Sequence, residues 1–551
     1  MNIELARILA LPRGEATGEA YIARWTTHFA RPGGEWAFRE AQALALEYAA
    51  RLRGGLFPLP IGSGKTALSF FLGAAAGFAD EDVLIVSFAK IRDEMVRMAE
   101  ELDPHFHLPR VRVVSYEFLS APSGRRFLLE TRPKIIILDE AHALKNPRAA
   151  RTRRFLEHLR AFPDTRVIAM TATLTPRNLH DYAHLAERSL REHSPLPAPW
   201  QIVEAWHVCL RDPAPGDPAP THEWAQVRPL VRWHAGEDAP VTRDTARAAF
   251  QARFTSAPGV VVRSDSTCDQ PIYWQTIGET HATADEKARL HLVRDSWRLP
   301  NGDEIEDPLR LNAKLRQLSQ GFFYTWETPP SRAWMFARSE LGRAVTDAQR
   351  AVRAWDGRAA VFAAIEADDP RVPDRLRAAW EVWARVRTET PPETRAVWED
   401  DAHIQRALSA ANALVEQHPG GCVLWYSHRA VADRLEAAGV VVARAGEPIP
   451  PHSERAIIAL SVASHGTGLN AQAWTSHVVL CPPANGPAWE QLVGRSHRSG
   501  RTAPVYVVAL AHTRELRRGL AAARRDATYL YETQGIEQKL RLAVDTGPTA
   551  P

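Results

Sequence analysis

The chain has 551 residues, 45% of them apolar and 24% charged, with a formal net charge of +3. That length is more than one hydrophobic core usually organises, so two or three domains are expected. The composition is that of a globular protein and excludes a disordered or fibrous one. No run of about 18 apolar residues occurs, so no membrane span is expected, and the N-terminus MNIELARILALPRGEA does not read as a secretory signal. Cys209, Cys268, Cys422 and Cys481 are scattered without a CxxC pair. Neither zinc nor disulfides are therefore expected, and a reducing, cytoplasmic compartment is. With so small a net charge, any surface for a polyanion must be local.

In chain order, residues 1–35 carry no clear signal. Trp36–Leu52 is rich in Ala, Leu and Glu at helical spacing and predicts a helix bearing Gln42. Then comes Leu59-Pro-Ile-Gly-Ser-Gly-Lys-Thr66, with Leu59 where the usual phosphate-loop motif has glycine. A Gly-rich turn that opens a helix aims successive backbone N–H groups at one spot and adds a favourable helix dipole, which suits a polyphosphate. Gly62, Ser63 and Gly64 form the turn, Lys65 can reach the β/γ-phosphates, and the Thr66 hydroxyl can ligate Mg2+. Strands are predicted at Asp82–Ser87 and Val111–Ser115, with a helix near 90–102 between them. Lys134–His142 reads KIIILDEAH. Its unbroken apolar run predicts a strand buried on both faces of a parallel sheet. Asp139 and Glu140 then fall at the carboxyl end, where ligands bind such sheets, and two acids there are costly unless they hold a cation or move a proton. Ala143–Leu159 predicts a helical segment with a basic cluster that includes Lys145, Arg148, Arg151, Arg153 and Arg154; it is either a solvated face or a set of phosphate contacts. A strand at Val167–Thr171 leads into Thr171-Ala172-Thr173, and the alternation continues to about Leu190. Residues 1–193 thus read as a doubly wound domain with its phosphate loop first.

Ser194–Pro220 is proline-rich, and 194–258 reads as a linker or insertion. Gly259–Arg263 suggests a strand returning to the fold. Residues 259–400 read as a helical insertion with the start of the second half. The stretch from about 283 to 401 is predicted helical, and its tryptophans (Trp297, Trp326, Trp334, Trp355, Trp380, Trp383, Trp398) are expected in the core. A second α/β domain, 401–551, has strands expected at Cys422–Tyr426, Val440–Arg444, Ala456–Ser461, His477–Cys481 and Val505–Leu510. Within it lie the Gly-rich loop Ser464–Asn470 and then Gln491-Leu-Val-Gly-Arg-Ser-His-Arg498 on a predicted helix. Arg495 and Arg498 are spaced i, i+3 and share a face, which favours an anion such as a transferring phosphoryl group. A basic helix at Arg514–Arg525 is the one further feature of the tail.

The Gln42 helix, GSGKT, DEAH and TAT, in this order, resemble the first RecA-like domain of a superfamily 2 helicase. DEAH followed by Leu144-Lys145-Asn146, and VVSYEFLS at Val113–Ser120, resemble the Snf2 branch. That branch shows TGTP where this chain has TAT followed by Leu-Thr-Pro. QLVGRSHR resembles helicase motif VI, and RSHRSGR is similar to the Snf2 form RAHRIGQ, with Arg501 where Gln is usual. Leu311–Leu318 resembles the leucine-rich helix of Snf2 protrusions. The resemblance covers most of 36–190 and 400–510. It implies an α/β fold of two RecA-like parallel-sheet domains with a helical insertion in the second half, and ATP and Mg2+ as cofactors. Gly62, Ser63, Gly64, Lys65, Thr66, Gly468 and Asn470 would bind the nucleotide, and Gln42 its adenine edge. Thr66 and Asp139 would hold Mg2+. Lys65, Glu140, Arg495 and Arg498 would be catalytic. His142, Thr171, Thr173 and Gln491 would couple the nucleotide to DNA, with Lys145, Arg148 and Arg151 as DNA contacts. The implied function is that of an ATP-dependent DNA translocase or helicase of a compact bacterial or phage type. Its partner is DNA, with duplex favoured over single strands or RNA. A single-strand or RNA helicase and an ATP-switched clamp with little hydrolysis remain as alternatives.

Overall fold

The computed structural model describes residues 2–547 apart from 16, 173, 175–177, 214–215, 263–267, 353–354, 356–357, 390, 445–446, 448, 454–455, 466–470 and 499. It divides into two units. One comprises Met1–Ser266, Val345–Pro373 and Thr528–Glu537; the other comprises Thr267–Ala344, Asp374–Ala527 and Gln538–Pro551. Both are mixed α/β with parallel sheets.

The first unit has five parallel strands: β1 (Gly55–Pro58), β2 (Val83–Ser87), β3 (Arg112–Ser115), β4 (Ile135–Leu138) and β5 (Arg166–Thr171), in the order β1-β5-β4-β2-β3. Side chains alternate across the sheet, so the unbroken apolar run of β4 serves two cores. Ile136 and Leu138 join one, and Ile135 and Ile137 the other. Each of these fully buried aliphatic side chains contributes about 1.5–3 kcal/mol, which is why the run contains no polar residue.

The basic segment after β4 is not one helix. A 3₁₀ turn (Ala141–Leu144) is followed by loop and then by a helix at Ala150–Ala161. Pro147 disfavours helical backbone at Asn146, and the Asn146 side chain instead accepts a bond from the Arg148 N–H at 2.9 Å. Residues 1–35 contain helices Ile3–Ala10 and Glu19–Phe29. The stretch expected as linker or insertion carries helices Trp200–Leu210, Trp224–Ala235 and Arg243–Thr255, which bury Trp206, Phe250 and Phe254 in the first core. The strand suggested at Gly259–Arg263 is a parallel bridge between Val260 and Leu56 of β1. Gly259 there has φ +81°, a conformation that glycine adopts without strain, and a Cβ would press on the Leu190 side chain at 2.7 Å. The last segment of the unit is the end of the helix Arg514–Gln534, which belongs to this unit from Thr528 onward. Tyr529 sits in the first core, Arg247 pairs with Glu532 at 2.7 Å, and the Gln534 amide donates to the Tyr182 hydroxyl at 3.3 Å.

The second unit carries β6 (Ile272–Ile277), β7 (Phe322–Thr328), β8 (Glu393–Trp398), β9 (Cys422–Tyr426), β10 (Val441–Ala443), β11 (Ile457–Ser461), β12 (Ser476–Val479), β13 (Val505–Leu510) and β14 (Val544–Asp545). Seven of them form a parallel sheet in the order β10-β11-β9-β12-β13-β6-β14. Along β9, Val423 and Trp425 face one core, and Cys422, Leu424 and Tyr426 the other. The stretch expected to be helical between 283 and 401 is interrupted by β7 and β8, an antiparallel pair that aligns Phe322 with Trp398. Short aromatic and β-branched runs there (FFYTWET, AVW) win over the Ala- and Arg-rich surroundings once they can pair.

Nor are all the tryptophans of this stretch core. Trp355, in the first unit, is buried at 3% exposure, whereas Trp297 and Trp326 in the second are 37% and 50% exposed. In the helix Arg514–Gln534, Gly519 gives up helix propensity for proximity: a Cβ there would lie 2.5 Å from the Arg316 guanidinium, which itself donates to Pro482 O at 2.8 Å. Among the described residues, no helix is long and apolar enough to cross a membrane.

Candidate functional site

The helix Lys65–Ala75 is entered through Gly62 (φ +86°) and Gly64 (φ +77°), left-handed conformations that glycine adopts without strain. Gln42, on the helix Glu40–Leu52, locks this turn. Its Nε2 donates to Ser63 O at 3.0 Å, and its Oε1 accepts from the Arg39 N–H at 3.0 Å, capping its own helix. A Cβ at Gly64 would collide with that amide at 2.5 Å. Arg39 adds a second clasp, donating to Gly62 O at 3.2 Å. Sequence reading gave Arg39 no role, since a single exposed arginine before a helix carries no pattern.

Lys65 is 7% exposed and its ammonium donates to the turn's own carbonyls, Leu59 O at 3.0 Å and Pro60 O at 3.1 Å. It also lies 3.9 Å from Glu140 Oε1. The Ser63 hydroxyl is buried without a hydrogen-bond partner. A buried orphan hydroxyl and a lysine resting on neutral carbonyls, inside a turn of glycines, fit an anion that would supply the missing acceptors. Thr66 follows at the start of the helix, half-buried.

β5 lies between β1 and β4 in the sheet, so the phosphate turn, Thr171 and the two acids all come off one carboxyl edge. Asp139 is 1% exposed; its Oδ2 accepts from the Ser87 hydroxyl at 3.1 Å, and its main-chain carbonyl from the Tyr116 hydroxyl at 2.9 Å. Burial, then the adjacent Glu140 charge, push the Asp139 carboxyl up. Glu140 takes φ +56°, ψ +53°, strained for a residue with a Cβ. Its Oε2 lies 3.4 Å from the Ala172 N–H and 3.2 Å from His142 Nδ1. Burial alone would raise Glu140; the Lys65 ammonium and His142 outweigh it and hold the carboxyl below the usual range. His142 Nδ1 is also 3.3 Å from the Thr171 hydroxyl. The structure thus brings Gln42, Gly62–Thr66, Asp139, Glu140, His142 and Thr171 together. Ser87 and Tyr116 join them unforeseen, although each ends or follows a strand at this same edge. Thr66 and Asp139 are the pair that could hold a divalent cation, which commonly takes one or two protein oxygens and completes its shell with phosphate and water. Thr173, Gly468 and Asn470 lie outside the described residues.

The basic cluster after β4 separates. Lys145 and Arg148 are exposed and Arg151 is half-buried. Arg154 is 2% exposed and donates to the Leu119 and Ala121 carbonyls, so it is structural.

In the second unit, Gln491 lies on the helix Gly486–Val493, but Arg495 and Arg498 do not, contrary to expectation. The helix stops at Gly494, a poor helix former, and the Arg495 carbonyl turns to accept the Ala471 N–H at 3.1 Å. Arg495 is 7% exposed; Arg498 is half-buried and donates from Nε to Gly494 O at 3.1 Å. Arg501 fixes this turn by donating to the carbonyls of Gln472, Trp474, Ala503 and Pro504. Comparison with protein-family models and with curated proteins gave no match.

Proposed function

We propose that the chain is a nucleic-acid-dependent ATPase with two RecA-like domains. It would work in the cytoplasm as a DNA translocase or helicase of the Snf2-like kind, with duplex DNA the favoured partner. One observation carries the reading: a glycine turn with an orphaned Ser63 hydroxyl and a buried Lys65 sits on the same sheet edge as a strained, hydrogen-bonded Glu140 and a buried Asp139. In this reading Lys65 exchanges the Leu59 and Pro60 carbonyls for phosphate oxygens, and the backbone of Gly62–Thr66 cradles them. Glu140, aimed by its left-handed backbone and steadied by Ala172 and His142, orients the attacking water and accepts its proton. Thr66 and Asp139 would hold Mg2+, which when bound neutralises phosphate charge. Arg495 and Arg498 stabilise charge on the transferring phosphoryl group. His142, bonded to both Glu140 and Thr171, links the water-activating acid to the loop after β5.

The test is ATP turnover without nucleic acid, and with single-stranded DNA, blunt duplex DNA or RNA at fixed low salt. Stimulation chiefly by duplex is expected. Stimulation chiefly by single strands or RNA would replace the translocase with a conventional helicase. ATP binding without turnover under any condition would leave a clamp.

A further inference from the structure

The outer face of the helix Arg514–Gln534 is unusual for its charge. Arg514, Arg518 and Arg525 are all exposed, and none makes an ion pair among the described residues. Their spacing of four and seven residues puts them within roughly 40° of one another on the helix surface, in a row about 17 Å long. Between Arg518 and Arg525 the line is flanked by Ala521 and Ala522, which carry no charge. The acids of this segment face inward: Glu515 is 3% exposed and pairs with Arg294 at 2.8 Å, and Asp526 is 4% exposed and accepts the Gly486 N–H at 3.1 Å. The two flanking arginines are already engaged, Arg517 with Glu279 at 2.6 Å and Arg524 over the Trp274 ring at 5.8 Å. Like charges one turn apart repel by a few tenths of a kcal/mol. An uncompensated row of this kind is therefore a surface that an extended anion stabilises.

We propose that Arg514, Arg518 and Arg525 form a docking rail for the phosphate backbone of duplex DNA; the proposal rests on the nucleic-acid reading above. A duplex presents one charge per about 1.7 Å along its axis, so a row about 17 Å long meets phosphates along its whole length. A membrane surface fits less well. A helix binds there by burying its apolar face, and here that face is already used: Leu516, Leu520, Ala523 and Ala527 are buried in the protein.

The test measures binding of a fluorescein-labelled 20-base-pair duplex to the full chain by anisotropy across a salt series. The proteins compared are wild type, the triple variant Arg514→Ala, Arg518→Ala, Arg525→Ala, and the same three positions changed to Lys. Losing three phosphate contacts should flatten the slope of log K against log salt by about 2–3 and weaken low-salt binding about tenfold or more. The Lys variant should keep the wild-type slope, because phosphate contacts of this kind need the charge rather than the guanidinium fork. Nucleic-acid-free ATP turnover should be the same in all three, which also reports that the Ala variant is folded. If wild type and the Ala variant bind duplex with the same slope and affinity, the rail is overturned while the nucleic-acid reading stands. If wild type binds no duplex, both fall. If the Ala variant instead loses only binding to vesicles of phosphatidylserine and phosphatidylcholine, the surface is a membrane contact and the proposal is overturned.

Discussion

Each unit holds a glutamate near the end of a strand or the start of a helix, half-buried Glu140 in the first and buried Glu286 in the second, and the two are treated in opposite ways. Glu286, 1% exposed in the second unit, accepts both Arg406 guanidinium donors at 2.7 and 2.5 Å and the Thr283 N–H at 2.7 Å. Burial opposes its charge, but the His512 and Arg406 bonds prevail and hold the carboxyl far below its usual range. Glu140 in the first unit has no such fork. Its cation is 3.9 Å away and shared with carbonyls, and its backbone is strained. A fully satisfied buried acid is structural, whereas an acid left partly satisfied, on strained backbone, at the ligand edge of a sheet is available for chemistry.

Three substitutions or conditions break or sharpen that contrast. Glu140→Gln should lower ATP turnover by about 10²–10⁴ with nucleotide binding retained; turnover near wild type would remove Glu140 from water activation. Arg406→Ala should leave turnover chemistry untouched but cost about 3–5 kcal/mol of stability, because it strands the Glu286 charge. Thermal unfolding measures this, and a loss below about 1 kcal/mol would make the pair dispensable. The smallest effect is graded with pH. In the second unit, burial and then Arg501 hold His477 down to about 3, and burial and then Lys539 hold His497 down to about 4. Both are neutral when folded, and the unfolded chain takes up their protons below about 6.5, so stability falls as pH drops from there toward 4. Each contributes a slope of up to about 1.4 kcal/mol per pH unit. Hydrogen exchange at pH 7 and pH 5, corrected for intrinsic rates, should show β9 and β12 losing protection at the lower pH; unchanged protection there would defeat the assignment.

What was legible in the sequence was local. The apolar run of β4, the helix of Gln42 and the glycine turn each carry their pattern within ten or so residues, and the sheet edge they share follows from the parallel-sheet rule. Other features were written in partners far along the chain. β6 is a strand because β13 pairs with it along Ile272–Ile277, and β7 because β8 does, some seventy residues later. The clasp of Arg39 on Gly62 and the bond from Ser87 to Asp139 depend on tertiary position, which spacing alone does not convey. The two arginines expected on a helix were misplaced for a local reason, the glycine that ends it.

The membership of Thr528–Glu537 in the first unit has a consequence for synthesis. Tyr529, Glu532 and Gln534 supply contacts to Phe250's core, to Arg247 and to Tyr182. They leave the ribosome only after residues 267–527, most of the second unit, have been translated. At about 5–20 residues per second, the first unit waits roughly 13–55 s between the emergence of its Val260 edge and its closing segment. During that interval a hydrophobic groove waits on the nascent chain for its own tail. A stop codon between Val260 and Thr528 would spare every strand of the first unit's five-stranded sheet, yet release a protein that lacks this closing segment.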